Sequence, residues 1–317
     1  MKPVAKQIRH ARAFTIVELL TVMSIIVILI GLLVPALNKV KQYATNVKQK
    51  AQFHSIEAAL ELFDSQFGSY PDSSYSPPGD TGPLGYCGAE KLCEAMMGQD
   101  LMGFHPDSVF RSDGTAMRAL ATGATVSVSL YNPSTIPARP GAFLPLENAN
   151  AYPLHQLYTN PGILDYAKDA LPANGNWHYV LCDVYNRVTN SETGKKVGMP
   201  VLYYKANTSR QVHDLQNPNN PDNIYNWLDN AELLRLKMPF DPSGRDHRLL
   251  RFAGSATGGA PEADGVRFYW NIRNDRVSIS RPFRADSYIL ISAGWDGEYG
   301  TADDICNFDW TFRDTLQ

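Results

Sequence analysis

The chain has 317 residues, with 29 Lys+Arg against 32 Asp+Glu and a formal charge of −3. Residues 1–13 hold four basic residues and no acid, so the rest stands at about −7 and offers no basic face for nucleic acid. The length suits one large domain or two small ones, and the absence of GxSxG, HExxH and GxxxxGK[ST] argues against the common hydrolase, metalloprotease and nucleotide-binding chemistries, so no enzyme is expected.

The basic stretch Lys2, Lys6, Arg9 and Arg12 leads into an apolar run that reaches Leu37 with one charge, Glu18. About 18–20 apolar-dominated residues suffice to cross the roughly 30 Å hydrocarbon core. Basic residues ahead of such a run place the bulk of the chain outside the cytoplasm. A carboxylate at the head of a membrane-length helix is costly, and so marks a functional residue. The helical spacing continues past Pro35 through Leu37, Val40, Ala44, Val47, Ala51, Ile56, Ala59, Leu60, Phe63 and Phe67. Lys39, Lys41, Lys48, Lys50, Gln52 and Glu57 form its polar side. Pro35 removes one backbone hydrogen bond and is expected to kink or locally open the helix. Gly68 and then Pro71 end it. From Phe14 to Phe67 the helix spans roughly 80 Å at ~1.5 Å per residue.

Beyond it, residues 71–90 read as loop, Glu90 to Met102 as a short helix, and 103–175 as a long Pro- and Gly-rich excursion. Strand patterns fall at Trp177–Val184, Val201–Tyr204, Arg267–Asn271 and Tyr288–Ser292, with a turn-rich Asn190–Gly194 link after the first and a polar loop at Gln216–Asp222. The expected fold is α+β: a long N-terminal membrane-spanning helix packed on a small antiparallel sheet head with large loop insertions. Cys87, Cys93, Cys182 and Cys306 are an even set in a chain bound for an oxidising compartment. One or two disulfides are expected, the three pairings are open, and buried free thiols are the alternative. The seven histidines are scattered; the neighbours Asp246-His247 and His213-Asp214 read as surface or packing residues.

After the last strand pattern comes Ser292-Ala-Gly-Trp-Asp-Gly-Glu-Tyr-Gly-Thr-Ala-Asp-Asp304, with acids Asp296, Glu298, Asp303 and Asp304. Gly294, Gly297 and Gly300 allow sharp turning. Clustered carboxylates and carbonyls in such a loop suit a hard cation such as calcium, although the spacing is not that of an EF-hand.

The N-terminal residues resemble those of type IV pilins and type II secretion pseudopilins. In that family a leader peptidase cuts before a Phe, and a Glu stands fifth in the mature chain. Here the cut would fall between Ala13 and Phe14, making Glu18 fifth; Ala13 stands where the family usually has Gly. Pro35 occupies a position where the family also carries Pro, and the stretch before it, which holds Gly31, melts in the family's filaments. Phe67-Gly68-Ser69-Tyr70-Pro71 resembles the handover from helix to head. The acidic loop resembles the calcium loop of the major pseudopilins. The resemblance implies Asp296, Asp303 and Asp304 as side-chain ligands and the carbonyls of Leu290 and Ser292 as partners, with a structural role for calcium.

The resemblance covers residues 1–72 and 286–308. It implies a cleaved leader (1–13), an assembly half of the helix (14–37), an amphipathic half (38–68) and a head (69–317) with an insertion at about 73–175 and a calcium loop at about 290–307. It further implies a filament subunit for protein secretion, anchored in the inner membrane with its head in the periplasm. The implied partners are copies of itself, other pilin-like subunits, a prepilin peptidase and an inner-membrane assembly platform. A type IV pilin for adhesion or motility, and a membrane-anchored binding module using the N-terminus only for export, are the alternatives.

Overall fold

The computed structural model describes residues 15–80, 82–120, 123–165, 178–241, 244–250, 265–309 and 312. The chain divides into two compact units, Met1–Thr45 and Asn46–Gln317. In the first, helix α1 (Ile16–Phe67) carries an unbroken series of exposed apolar side chains from Ile16 to Val40. The helix is continuous through Pro35, so no local opening is seen there; the missing N–H removes the bond to the Gly31 carbonyl. This helix is long and apolar enough to span a membrane.

The second unit is built on a three-stranded antiparallel sheet of β7 (Leu202–Lys205), β8 (Tyr288–Ser292) and β9 (Ile305–Cys306), with β8 in the middle. Tyr203 pairs with Leu290, and Ile291 with Cys306. All five β8 residues are buried because both faces of the sheet are covered. Val201, Tyr203, Tyr288 and Leu290 join Phe53, Ile56, Ala59, Leu60 and Phe63 of α1 in one apolar cluster. Leu202, Tyr204, Ile289 and Ile291 face the other way, onto Trp227, Phe268, Tyr269 and Ile272. Alternation along the strands thus feeds two cores.

The register of α1 on the sheet differs from the apolar pattern in one respect. Gln49 and Gln52 are buried, whereas Val47 and Ala51 are exposed. The two amides satisfy backbone groups that a helix side chain must reach: Gln49 Oε1 accepts the Val184 N–H at 3.0 Å, and Gln52 Nε2 donates to the Cys182 carbonyl at 2.9 Å. Gly68 closes the helix with φ 77°, its N–H donating to the Asp64 carbonyl at 2.7 Å.

Helix α2 (Gly88–Met97) is the expected short helix, but all ten of its residues are buried. Glu90, Lys91 and Glu94 are interior, which hydropathy could not signal. Each has a partner: Glu90 the ring of His178 at 2.7 Å, Lys91 Asp72 at 2.7 Å, and Glu94 the hydroxyls of Tyr86 and Tyr131 at 2.7 Å each. Gly88 lies so close to β7 that a Cβ would stand 2.5 Å from the Tyr203 carbonyl oxygen.

The described part of the excursion also holds a solvent-exposed hairpin, β1 (Thr115–Ala119) with β2 (Thr125–Ser129). A 3-10 turn (Pro133–Ala138), short helices α3 (Leu146–Ala149) and α4 (Leu154–Leu157), and strand β3 (Ala151–Pro153) follow it. Strand β3 pairs with β4 (Tyr179–Leu181), the core of the first strand pattern. The turn-rich link forms a small hairpin of β5 (Val188–Thr189) and β6 (Lys196–Val197).

The strand expected at Arg267–Asn271 is instead helix α6 (Val266–Asn271). Its β-branched and aromatic residues are wholly buried, so no alternation reveals the period. Its entry explains the choice: Gly265 has φ 86° and lies against the Trp227 ring, where any Cβ would come within 2.5–2.7 Å of ring atoms. This turn lays the segment across the back of the sheet as a helix.

Between β7 and α6, a 3-10 turn (Trp227–Asn230) precedes α5 (Ala231–Arg235). The turn contains the buried Asp229, whose Oδ2 accepts from the Ser73 hydroxyl at 2.6 Å. Burial pushes this carboxyl from 3.8 up to about 8, against the Ser73 hydrogen bond. The folded state therefore holds a proton that the unfolded chain loses near pH 4. Stability should fall as pH rises across the window from about 4 to about 8. We expect Asp229→Asn to match wild type near pH 4 and to exceed it at pH 9, by on the order of a few kcal/mol. Melting curves at the two pH values check this; equal pH dependence would refute it.

Candidate functional site

Two places gather the residues singled out above, one in each unit. At the start of α1, Glu18 Oε2 accepts the Thr15 N–H at 2.9 Å and the Thr15 hydroxyl at 2.8 Å, while the Glu18 N–H donates to Thr15 Oγ1 at 3.2 Å. This is a reciprocal capping box, the T-x-x-E signal ahead of an apolar run. The sequence carried that signal, and the reading of Glu18 as a lone charge passed over it. Between them the Glu18 carboxylate and the Thr15 hydroxyl satisfy the Thr15 and Glu18 N–H groups, which would otherwise be unpaired at a helix end set among apolar residues. The expected processing residues Ala13 and Phe14 lie outside the described residues.

The second place is the loop after β8. Gly294, Gly297 and Gly300 have φ of 65°, 76° and 91°, as the sharp turning requires. The acids bind the loop itself. Asp303 Oδ2 accepts the Asp296 N–H at 2.9 Å, Asp296 Oδ1 the Glu298 N–H at 2.8 Å, and Asp304 Oδ2 the Gly300 N–H at 2.7 Å. The Thr301 hydroxyl donates to Asp303 Oδ1 at 2.8 Å. Burial raises the Asp296 carboxyl to about 6, with the nearby Asp303 charge adding to it, and lifts Asp304 well above the usual range.

These positions do not fit a preassembled calcium site. Among the described residues no three carboxylates, imidazoles or thiols converge as a metal-ligating group. The Leu290 carbonyl, expected as a partner, accepts the Asn307 N–H at 3.3 Å within the sheet region. The Ser292 carbonyl was the other expected partner; the Ser292 hydroxyl, a different atom, donates to Asp183 Oδ2 at 2.8 Å and accepts from the Gly294 N–H at 3.3 Å. The physical reason is competition: a tightly turning loop exposes N–H groups, and its own carboxylates reach them first. We therefore expect the melting temperature at pH 7 to stay within ~1 °C when calcium is replaced by a chelator. A clear rise with calcium would show that the ion reorganises these hydrogen bonds.

Asp183 is the residue that sequence reasoning missed here. It is fully buried, and its Oδ1 accepts the N–H groups of Tyr185 at 3.2 Å and Met199 at 3.1 Å. With the Ser292 hydroxyl on Oδ2, it ties the end of β8, and hence the acidic loop, to the chain after β4. A single Asp inside a strand pattern carries no sequence signal for such a role. His247 supports the loop from the other side: its Nδ1 accepts the Tyr299 N–H at 3.2 Å, and burial depresses its pKa to about 3, so the ring stays neutral.

The other titratable pairs are interior struts. His155 meets Asp165 at 3.0 Å, and the His213 ring meets the Tyr269 carbonyl at 3.0 Å rather than its neighbour Asp214. The four cysteines are free thiols, three of them buried, which corrects the expected disulfides. Burial raises the thiol pKa of Cys87, Cys93 and Cys182, which leaves them unreactive packing residues.

Comparison with protein families, with curated proteins and with solved structures returns no match for this chain. Its function must therefore be read from the two sites themselves.

Proposed function

We propose that this protein is a structural subunit of a membrane-anchored filament of the pilin-like kind, with a secretion pseudopilus as its setting. The observation that supports this reading is the apolar stretch of α1. From Ile16 to Val40 its large apolar side chains are exposed on every side, and Glu18 is the single acid at its head. A helix apolar all round must be covered by lipid or by other helices. A subunit of this kind uses both covers in turn: lipid before assembly, and the same segment of neighbouring copies afterwards.

Glu18 then has a defined part. In the single chain it is satisfied by Thr15; in a dry helix bundle a carboxylate needs a cation, and the new N-terminal amine left by processing before Phe14 of a neighbour supplies one. The partners are copies of this chain, related subunits, the processing peptidase and an inner-membrane assembly platform. Calcium is not needed for this reading.

Intact mass and N-terminal sequencing of protein from its own membranes test it, together with electron microscopy of sheared cell surfaces. A chain starting at Phe14 and present in sheared filaments is the expected result. A chain starting at Met1 and found only as monomers would replace the filament by a static anchor.

A further inference from the structure

The head bears a groove that neither site uses. Its volume is about 800 Å³, and its walls come from the segment around Arg210 and the loop 276–281. Three arginines, Arg210, Arg276 and Arg281, line it, with Asp286 as the one carboxylate among the lining residues. The second unit as a whole carries more acid than base, so the sign of this groove runs against its surroundings.

Two of the three guanidinium groups are available to a ligand. Arg276 is paired with Asp309 at the rim, in a contact exposed on both sides. Among the described residues Arg210 donates to the Asn223 carbonyl alone, at 3.3 Å. The Arg281 side chain has no partner among the described residues; its backbone carbonyl accepts the Asn274 N–H at 2.8 Å. Guanidinium groups recognise carboxylates bidentately, so two such groups in one groove favour an acidic occupant.

The loop beside them adds a second kind of contact. Val277, Ser278 and Ile279 make no backbone hydrogen bond among the described residues. Val277 is 43 % exposed, and Ile279, at 78 %, is the most exposed large apolar side chain among the described residues of the second unit. The base of the loop is nevertheless fixed. Arg273 bridges Pro282, and the Ser280 hydroxyl donates to the His213 carbonyl at 3.0 Å. A short stretch of free backbone with alternate bare side chains, held on a fixed base, is the arrangement that pairs with an extended peptide.

We propose that this groove binds an extended acidic segment of a partner protein. Its carboxylates meet Arg210 and Arg281, and its backbone and alternate apolar side chains lie along Val277–Ile279. The adjoining cavity shares Thr208, Arg210 and Ile224 with the groove and continues it past Lys205 towards Asp72 and Asp229. The basic stretch therefore ends at that point, and the acidic part of the segment belongs at the Arg281 end. This proposal stands whether the protein forms filaments or remains an anchored monomer.

The test is fluorescence anisotropy with the full chain in a non-ionic detergent. The probes are a labelled peptide of alternating Asp and Val and its counterpart with Lys in place of Asp. Saturable, salt-sensitive binding of the Asp peptide alone is expected. Arg210→Glu with Arg281→Glu should weaken it about tenfold or more, and Ile279→Asn several-fold. The milder Arg281→Gln should give an intermediate loss and guards against a charge reversal that perturbs folding. Absence of saturable binding, equal binding of the Lys peptide, or unchanged affinity in the double variant would overturn the proposal. Displacement by inorganic polyphosphate as readily as by unlabelled peptide would also overturn it, since the groove would then be a plain anion site.

Discussion

Glu18→Leu is expected to leave the protein in the membrane fraction in normal amount and to cut sheared filaments about tenfold or more. Leu makes the helix more apolar, so insertion gains rather than suffers. Assembly suffers because the carboxylate that would meet a neighbour's amine in the bundle is gone. The capping box supplies a rival explanation: Glu18 also closes the first turn on Thr15, and loss of the cap frays the helix end. Two further variants separate the roles. Glu18→Gln keeps a side chain that can cap from the same position but removes the charge, so it should fail like Leu if the charge matters. Thr15→Val removes the hydroxyl partner and keeps the charge, so it should still assemble. Filaments from Glu18→Gln and none from Thr15→Val would reverse the assignment, making Glu18 a capping residue. Quantitative immunoblots of membrane and sheared fractions read all three.

The second large effect belongs to the head. Asp183→Ala removes the acceptor for two buried N–H groups and a buried hydroxyl at once. An orphaned buried donor costs about 1–3 kcal/mol, so the variant should lose on the order of 3 kcal/mol or more and fold poorly at 37 °C. The backbone around the site is tightly packed. Gly198 is packed against Asp183 so closely that a Cβ there would stand 1.9 Å from the Asp183 carbonyl oxygen. Asp183→Asn keeps one carbonyl oxygen for both N–H groups and turns the other contact round, with the amide donating to Ser292. It should cost about 1 kcal/mol. Urea denaturation of the two variants measures the difference. Equal losses would mean that the site tolerates a missing acceptor, and the strut between β4 and the acidic loop would be unimportant.

What could be read in advance, and what could not, follows one division. The 52-residue helix, its stop at Gly68, the strand at Tyr288–Ser292 and the glycines of the acidic loop were all legible. Each depends on local properties: apolar periodicity, chain reversal at glycine, and β-branched runs. The failures share a cause of the opposite kind. Helix α6 read as a strand because complete burial erases periodicity. Helix α2 was legible as a helix but not as an interior one, because its buried Glu90, Lys91 and Glu94 are charged residues that only their partners make tolerable. Gln52 was assigned to the polar side, and Gln49 to no face, because amides reveal nothing of the backbone groups waiting for them at Cys182 and Val184.

The acidic loop shows the division most sharply. Its composition correctly announced a glycine-turned cluster of carboxylates after a strand. Which atoms those carboxylates bind is a matter of angles and distances, and the loop's own N–H groups hold them. By itself, then, the sequence determined that this chain has one helix able to enter a membrane, a single acid at the head of it, and an α+β head. Only the tertiary structure decided that Glu18 closes a cap on Thr15, that Asp183 holds the acidic loop, and that Arg210 and Arg281 share a groove with free backbone. Apolar pattern is written residue by residue along the chain, whereas hydrogen-bond partnership depends on which distant residues the fold brings within 3 Å of one another.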